Sequence, residues 1–405
     1  MIFVLAWRNI WRNTRRTIIT LTAISLNAAI LIATYSLMDG IMAHTISNVT
    51  NMVVGEAQIH MPKYLVDRSL YKSLDHPGDI IAELNQRNIL AAPRSYGYGL
   101  AAHETKSAGA LFWGVDPKKE RMVFDLAHHT DKGQFLANTP KKGIVLGKKL
   151  ARSLNVDVGS EIVVVVQAAD GSLGNELFSV AGILKAVGDS IDRNSAIIHY
   201  KDFTDLFVSS GRIHEIAVNS KGKLPLEELR EIASKASPSA EVKTWRQLMP
   251  SFSDMVNNFD VAVAIFGFIF FLAAALGVMN TMLMATFERI REFGILKAIG
   301  ATPWRILRDV TAEALLLSGV STIIGIIIGV AGAYYLQTVG IDTSVFAADN
   351  YTVAGVAFDP VWRAKISAKV IVIPVVVMWI VCIIASLYPA AIAARLDPVR
   401  AISHI

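Results

Sequence analysis

The residues best placed to do work in this chain lie between Phe287 and Val310, FERIREFGILKAIGATPWRILRDV. Arg289, Arg291, Lys297, Arg305 and Arg308, with the acids Glu288 and Glu292, sit there between two long apolar runs, Val261–Thr286 and Thr311–Leu336. Such groups form ion pairs and grip a partner surface. They do not belong in hydrocarbon, where each cation costs about 2.5–3.5 kcal/mol at the bilayer centre. The apolar residues among them, Ile290, Phe293, Ile295, Leu296 and Ile299, recur at roughly helical spacing. The pattern predicts a short amphipathic helix joining two membrane helices. It fits two roles equally: an element that receives force from a partner, or an interfacial turn anchored among headgroups. Gly294 and Gly300 would permit close backbone approach or end the helix.

Catalytic motifs are missing from the sequence. The string nearest a Walker A loop, Gly143–Lys149 (GIVLGKK), has the wrong spacing and lacks the final Ser or Thr. HExxH, CxxC and GxSxG are absent, and Leu317-Ser318-Gly319 lies inside an apolar run. His128-His129 reads as a solvated loop pair, and the single cysteine, Cys382, as a packing residue that excludes an intrachain disulfide. Apolar runs carry few acids, chiefly Glu313 and Asp260 near their ends, so an ion-driven carrier is not expected. The chain reads as a machine part, not an enzyme, with no metal or cofactor of its own.

The elements that position these residues follow from composition. With 53% hydrophobic residues and a mean hydropathy of +0.44, the chain is too apolar for a soluble protein and too charged to be all membrane. Four runs, Thr17–Leu37, Val261–Thr286, Thr311–Leu336 and Val370–Ala394, reach the ~20 residues needed to cross a bilayer. The expected layout is an α-helical membrane protein with four transmembrane helices and a large α+β extracytoplasmic domain inserted between helices 1 and 2. Residues 1–16 form an amphipathic elbow helix, 17–40 the first span, 41–260 the outer stalk and domain, and 261–286 the second span. Residues 287–310 are the cytoplasmic loop, 311–336 the third span, 337–369 an outer loop, 370–394 the fourth span and 395–405 a tail.

Basic residues orient the chain. Four in the N-terminal segment, five in 287–310 and two in the tail (Arg395, Arg400) give eleven on one side, against three in 337–369. Both termini are therefore expected in the cytoplasm. Trp7 and Trp11, four apart, suit a headgroup-level elbow. Past Gly40, Met42, Ile46, Val49 and Val53 continue a heptad-like stripe. Leu248, Phe252, Met255, Phe259 and Ala262 do the same before the second span. Paired stalks are preferred over stripes buried on their own domain. Thr244 with Gln247 resembles a capping box, and Pro250 kinks or restarts a helix. Gly325, Gly329 and Gly332 permit close helix packing, and Pro389 is expected to break the last helix.

Within the outer domain, strand-like runs are Glu56–His60, Gly109–Val115, Gly143–Leu146, Glu161–Gln167, Phe178–Leu184, Ser195–His199 and Ile213–Val218. Helices are expected at Pro77–Asn88, Gly147–Leu154, Lys201–Val208 and Pro225–Lys235, with two lobes split near Gly133–Lys142. Gln167–Glu176, containing Asp170, Gly171 and Leu173, reads as a hairpin tip.

These residues resemble the ABC-permease family that includes LolC/LolE, MacB and FtsX. Glu288, Glu292, Ile295, Leu296, Gly300, Thr302 and Pro303 match its loop pattern E-x-x-x-E-x-x-I-L-x-x-x-G-x-(T/S)-P. Tyr388-Pro389-Ala390, Ala393-Ala394 and Pro398-Val399-Arg400-Ala401 match its C-terminal pattern. Met38-Asp39-Gly40 and Thr244-Trp245 look like the M-N-G and T-W of LolC/LolE proteins. The resemblance implies two permeases, identical or paralogous, bound to two copies of a separate ATPase subunit that holds ATP and Mg. It also implies outer domains driven through stalks by mechanotransmission in the cell inner membrane. Glu288, Arg289, Arg291, Glu292, Gly294, Lys297 and Gly300 are then the ATPase-coupling candidates. Met38, Ile41, Met42, Phe259 and Phe266 would line an apolar chamber for a lipoprotein substrate and membrane lipids, or simply pack helix on helix. The tip at Asp170, Gly171 and Leu173 lacks the proline with which LolC-type permeases recruit a periplasmic carrier. Carrier or adaptor recruitment therefore stays open. Lipoprotein release is the leading expectation, beside a MacB-like efflux permease with a periplasmic adaptor and an FtsX-like activator of cell-wall hydrolases.

Overall fold

A computed structural model describes residues 6–8, 10–342, 352–353, 356–357 and 361–395. The Pro398–Ala401 motif and Arg400 lie outside the described residues. The chain divides into two units: Met1–Ala43 with Val256–Thr343 and Val361–Ile405, and His44–Met255 with Ser344–Pro360.

Among the described residues, four helices are long and apolar enough to cross a membrane: Thr17–Val54, Pro250–Glu288, Pro303–Thr338 and Ala368–Arg395. Polar side chains of the first turn toward its neighbours. Ser25 Oγ donates to the Ser321 carbonyl at 2.9 Å and Asn27 Nδ2 to that of Phe270 at 3.4 Å. Without a hydrophobic drive in lipid, close contact and such bonds hold helices together. A Cβ on Gly325 would sit 2.6 Å from that of Ala28, and one on Gly329 would sit 2.9 Å from that of Ile32. A Cβ on Gly332 would meet nothing, so that glycine is not part of the contact. Gly40 is also at a close approach, facing the backbone of Arg363–Lys365, whose Lys365 N–H donates to the Ser36 carbonyl at 2.8 Å.

The last helix differs from the sequence reading. It runs from Ala368 through Pro374 and Pro389 to Arg395 without a break. Ala390 and Ala393, fully buried, pack with Phe293, Ile306 and Val310, and that contact holds the turns beyond Pro389 helical.

The α+β unit contains strands β1 (Ala57–His60), β2 (Leu90–His103), β3 (Lys106–Val115), β4 (Thr130–Gly133) and β5 (Gly143–Leu146). It continues with β6 (Glu161–Gln167), β7 (Leu173–Leu184), β8 (Ser195–His199), β9 (Glu215–Asn219) and β10 (Glu241–Thr244). They make one sheet in the order β10-β1-β9-β2-β3-β8-β5-β7-β4, and β6 pairs with both β2 and β7. Six strands, β2-β3-β8-β5-β7-β6, therefore close on themselves as a barrel. Its interior holds Phe112, Val164, Phe178, Ile198, Phe203 and Phe207. Of the other four strands, β4 flanks β7, while β9, β1 and β10 carry helices Pro77–Gln86 and Leu226–Ala236 over a second core containing Ile59, Leu84, Ile216 and Leu229.

The two-lobe expectation is corrected in its position. Gly133–Lys142 joins β4 to β5, both of which pair with β7 in one sheet, so it does not separate lobes. The division falls within β2, which pairs with β9 over Leu90–Arg94 and with β6 over Gly99–Ala102. β2 itself was not read from the sequence: its Gly-rich, Pro-containing run APRSYGYGLA mimics a loop. β1 pairs with β10, Ala57 opposite Thr244, so the two ends of the unit are neighbours. The helix Pro250–Glu288 starts at its proline, after a short helix capped by Thr244. The capping box is formed, with the Thr244 N–H donating to Gln247 Oε1 at 3.1 Å.

Candidate functional site: the turn between the second and third long helices

The segment from Arg289 to Thr302 folds as helix Ile290–Ala298 and a tight turn into the third long helix. The turn is built from backbone chemistry. Gly300 adopts φ +99°, a left-handed conformation that a Cβ disfavours. The Gly300 and Ala301 N–H groups donate to the carbonyls of Lys297 and Leu296, at 3.0 and 2.9 Å, closing the helix C-terminus. Thr302 then caps the next helix, its side chain accepting from the Arg305 N–H, and Pro303 takes the first helical position. The G-x-T-P run is thus a stop followed immediately by a start.

The charged side of the helix faces its own chain. Arg289 Nη1 bridges both oxygens of Glu313 at 2.8 and 2.9 Å, and its Nε reaches Glu292 at 3.0 Å. Glu292 also accepts from Arg12 at 2.6 Å. A chain Arg12–Glu292–Arg289–Glu313 therefore ties the N-terminal segment to the third long helix. Burial disfavours the Arg289 cation, but Glu313 and Glu292 outweigh it and raise its pKa. Burial likewise opposes ionisation of Glu292, and bonds from Arg289 and Arg12 prevail, lowering its pKa. Lys297 Nζ donates to the Ala394 carbonyl at 3.0 Å, joining the same helix to the fourth. Phe293 and Gly294 are buried against these neighbours.

The opposite side is apolar and open. Ile295, Leu296, Ile299 and Trp304 are exposed, Ile299 by 76% and Trp304 by 70%, with Arg291 beside them. The arrangement is a turn held to its own chain by ion pairs, with an apolar patch left exposed.

The seven coupling candidates separate on this geometry. Arg289, Glu292, Lys297 and Gly294 serve the chain's own packing, Gly300 shapes the turn, and Arg291 and Glu288 are exposed. Sequence reading missed Arg12 and Glu313 as partners of the loop, since Arg12 and Glu292 lie 280 positions apart and no local pattern joins them. The spacing of Glu292 and Arg289 is the only local signal. Of the proposed chamber residues, Phe266 is exposed and Phe259, Met38, Ile41 and Met42 are half-buried on the long helices. The tip at Ala168–Ser172 closes a two-stranded hairpin of β6 and β7. There Asp170 accepts from the Ser172 N–H and hydroxyl, Gly171 has φ +85°, and Leu173 is 75% exposed.

Residues 264–398 match the FtsX-like permease C-terminal family model and residues 17–240 the MacB-like periplasmic core domain. An uncharacterized ABC transporter permease of Methanocaldococcus jannaschii is 25% identical over 300 residues, covering 72% of this chain and 69% of its own. The lipoprotein-releasing system transmembrane protein LolC of Xylella fastidiosa strain 9a5c is 23% identical, over 73% of each. The macrolide export ATP-binding/permease protein MacB of Wolinella succinogenes is 23% identical over 98% of this chain and 60% of its own length. Among solved structures, the periplasmic region of MacB from Actinobacillus actinomycetemcomitans covers 49% of this chain and 92% of itself, at 14% identity and a TM-score of 0.36. The helical unit, the α+β unit and the turn described above are those of an integral membrane permease: the chain belongs to the MacB/FtsX-like superfamily of ABC transporter permeases.

Proposed function

We propose that the chain is a permease subunit driven by a separate ABC ATPase, and that it releases lipoproteins from the outer leaflet of the inner membrane. The observation that carries the first part is the two-sided turn. Arg289, Glu292 and Lys297 are engaged within the chain, while Ile295, Leu296, Ile299 and Trp304 are left exposed. A cytoplasmic ATPase covering that patch would push on a helix already fastened to the third and fourth long helices, so force would pass into them without loss in a loose loop. Both termini are then cytoplasmic, ATP and Mg sit on the partner, and a second permease completes the complex.

Replacing Ile299 by Asp together with Trp304 by Ala tests this. Both side chains are exposed, so stability should change by no more than about 0.5 kcal/mol while ATPase co-purification is lost. Retention of the ATPase by the double variant sinks the docking assignment. Glu292→Lys and Gly294→Trp would be poorer probes, because those positions support the fold.

Lipoprotein as cargo is supported by the likeness to LolC and by the apolar residues Phe259 and Phe266 on the second long helix. Each acyl CH₂ removed from water contributes about 0.8 kcal/mol. Photocrosslinkers at Met42 and Phe259 in the assembled complex should capture lipidated protein. Capture of a soluble drug-like or peptide molecule instead would favour MacB-like efflux, and capture of neither would count against transport altogether.

A further inference from the structure

The α+β unit holds a cleft of about 800 Å³ on the face of β2 and β3. That volume is in the range of pockets for small organic molecules. On its floor Tyr98 and Leu111 face each other across the β2–β3 ladder, with Trp113 two residues further along, and polar side chains line much of the rest. The Trp113 indole Nε1, buried, has no acceptor among the described residues.

Three charged side chains line the cleft, the cations Arg68 and Arg94 and the acid Glu215. Its one acid, Glu215, shares Arg94 with Glu120, at 3.3 and 2.6 Å, and receives the Tyr96 hydroxyl at 2.9 Å. Arg68 borders the same space, is exposed, and makes no ion pair among the described residues. Gly109 leaves room on the floor, since a Cβ there would meet nothing within 4 Å. We propose that this cleft binds an organic anion with a flat apolar body, the body lying on Leu111 and Trp113 and the anionic group on Arg68. Two walls make the site consequential. One is Val53, where the first long helix ends; the other is Leu248–Met249, directly before Pro250 begins the second. An occupant touches both connections to the helical unit, so its presence is felt where the stalks join the domain.

The test uses the full-length chain in lipid nanodiscs and dansylglycine, a naphthalene carrying one carboxylate, with empty nanodiscs subtracted. Saturable binding is expected, weakened at least tenfold by Arg68→Glu, which reverses the charge, and by Gly109→Trp, which fills the floor. In a Met249→Cys variant, saturating dansylglycine should slow maleimide labelling several-fold; the native Cys382 is buried and adds little background. This measurement needs neither cleft variant to fold. Absence of saturable binding, equal affinity in both well-folded variants, or labelling of Met249→Cys at an unchanged rate overturns the proposal.

Discussion

Two arginines in this molecule are each gripped by two carboxylates, yet they sit in different surroundings. Arg94, fully buried in the α+β unit, contacts Glu120 at 2.6 Å and Glu215 at 3.3 Å, lies over the Phe124 ring, and donates to the Val53 carbonyl at 2.5 Å. Arg289, with 15% of its side chain exposed, contacts Glu313 and Glu292 and reaches Arg12 through the latter. The first is a closed set with an aromatic roof. The second is an open chain ending at solvent. The same ion-pair chemistry therefore serves two settings: a fixed fastening for the end of a long helix, and a fastening of the turn close to solvent. Burial decides which, because a buried charge without its partner has no water to fall back on.

The comparison predicts its own hierarchy. Arg94→Met strands two buried carboxylates and should destabilise the chain by about 3–5 kcal/mol, seen as a large fall in melting temperature of the full-length protein. A loss no bigger than that of the Arg289 variant would erase the distinction drawn here. Arg289→Met should cost about 1.5–3 kcal/mol, since Arg12 and solvent still reach Glu292. Exchanging the pair, Arg289→Glu with Glu313→Arg, should recover most of it; no recovery would mean that the geometry rather than the charge is what counts.

The smallest effect is expected at His214, beside Glu215. Its Nδ1 accepts from the Tyr96 N–H at 2.8 Å and its Nε2 lies 3.1 Å from the Leu70 carbonyl, a neutral ring with both nitrogens used. Burial lowers its pKa. Because the folded pKa lies below the unfolded value near 6.5, the unfolded chain takes up the proton first. Stability contributed by this ring is thus present above about pH 6.5 and lost as pH falls below that toward the folded pKa. His214→Gln should flatten the melting temperature between about pH 7 and 5; an unchanged slope would show that other groups set it.

Much of the fold was legible because its signals are local. The strands Gly143–Leu146, Glu161–Gln167 and Ser195–His199 agree with the sequence reading to the residue, since each is an apolar or alternating run between turn residues. Thr244, Gln247 and Pro250 declared a cap and a restart by type and spacing. What stayed hidden depends on distant partners. β2 earns its strand state from β3, β6 and β9 rather than from its own composition. Pro389 stays helical through contacts with Phe293 and Ile306. The turn was found by its charges, but which of them face inward is set by Arg12 and Glu313, which no window around Glu292 contains.

The pairing of β1 with β10 carries a consequence for how the chain is made. Ala57 must wait for Thr244, so the first strand of the unit is synthesised with both edges open, and the edge that β10 covers stays so while about 180 further residues emerge. At roughly 5–20 residues per second, that is a wait on the order of ten to forty seconds. β1 is short and fully buried, and its other neighbour, β9, is also late in the chain. A nascent chain halted before Glu241 would therefore present an unfinished sheet edge, open to any strand that offers itself. Substitutions that slow synthesis just ahead of that strand should raise aggregation without altering a single contact of the finished protein.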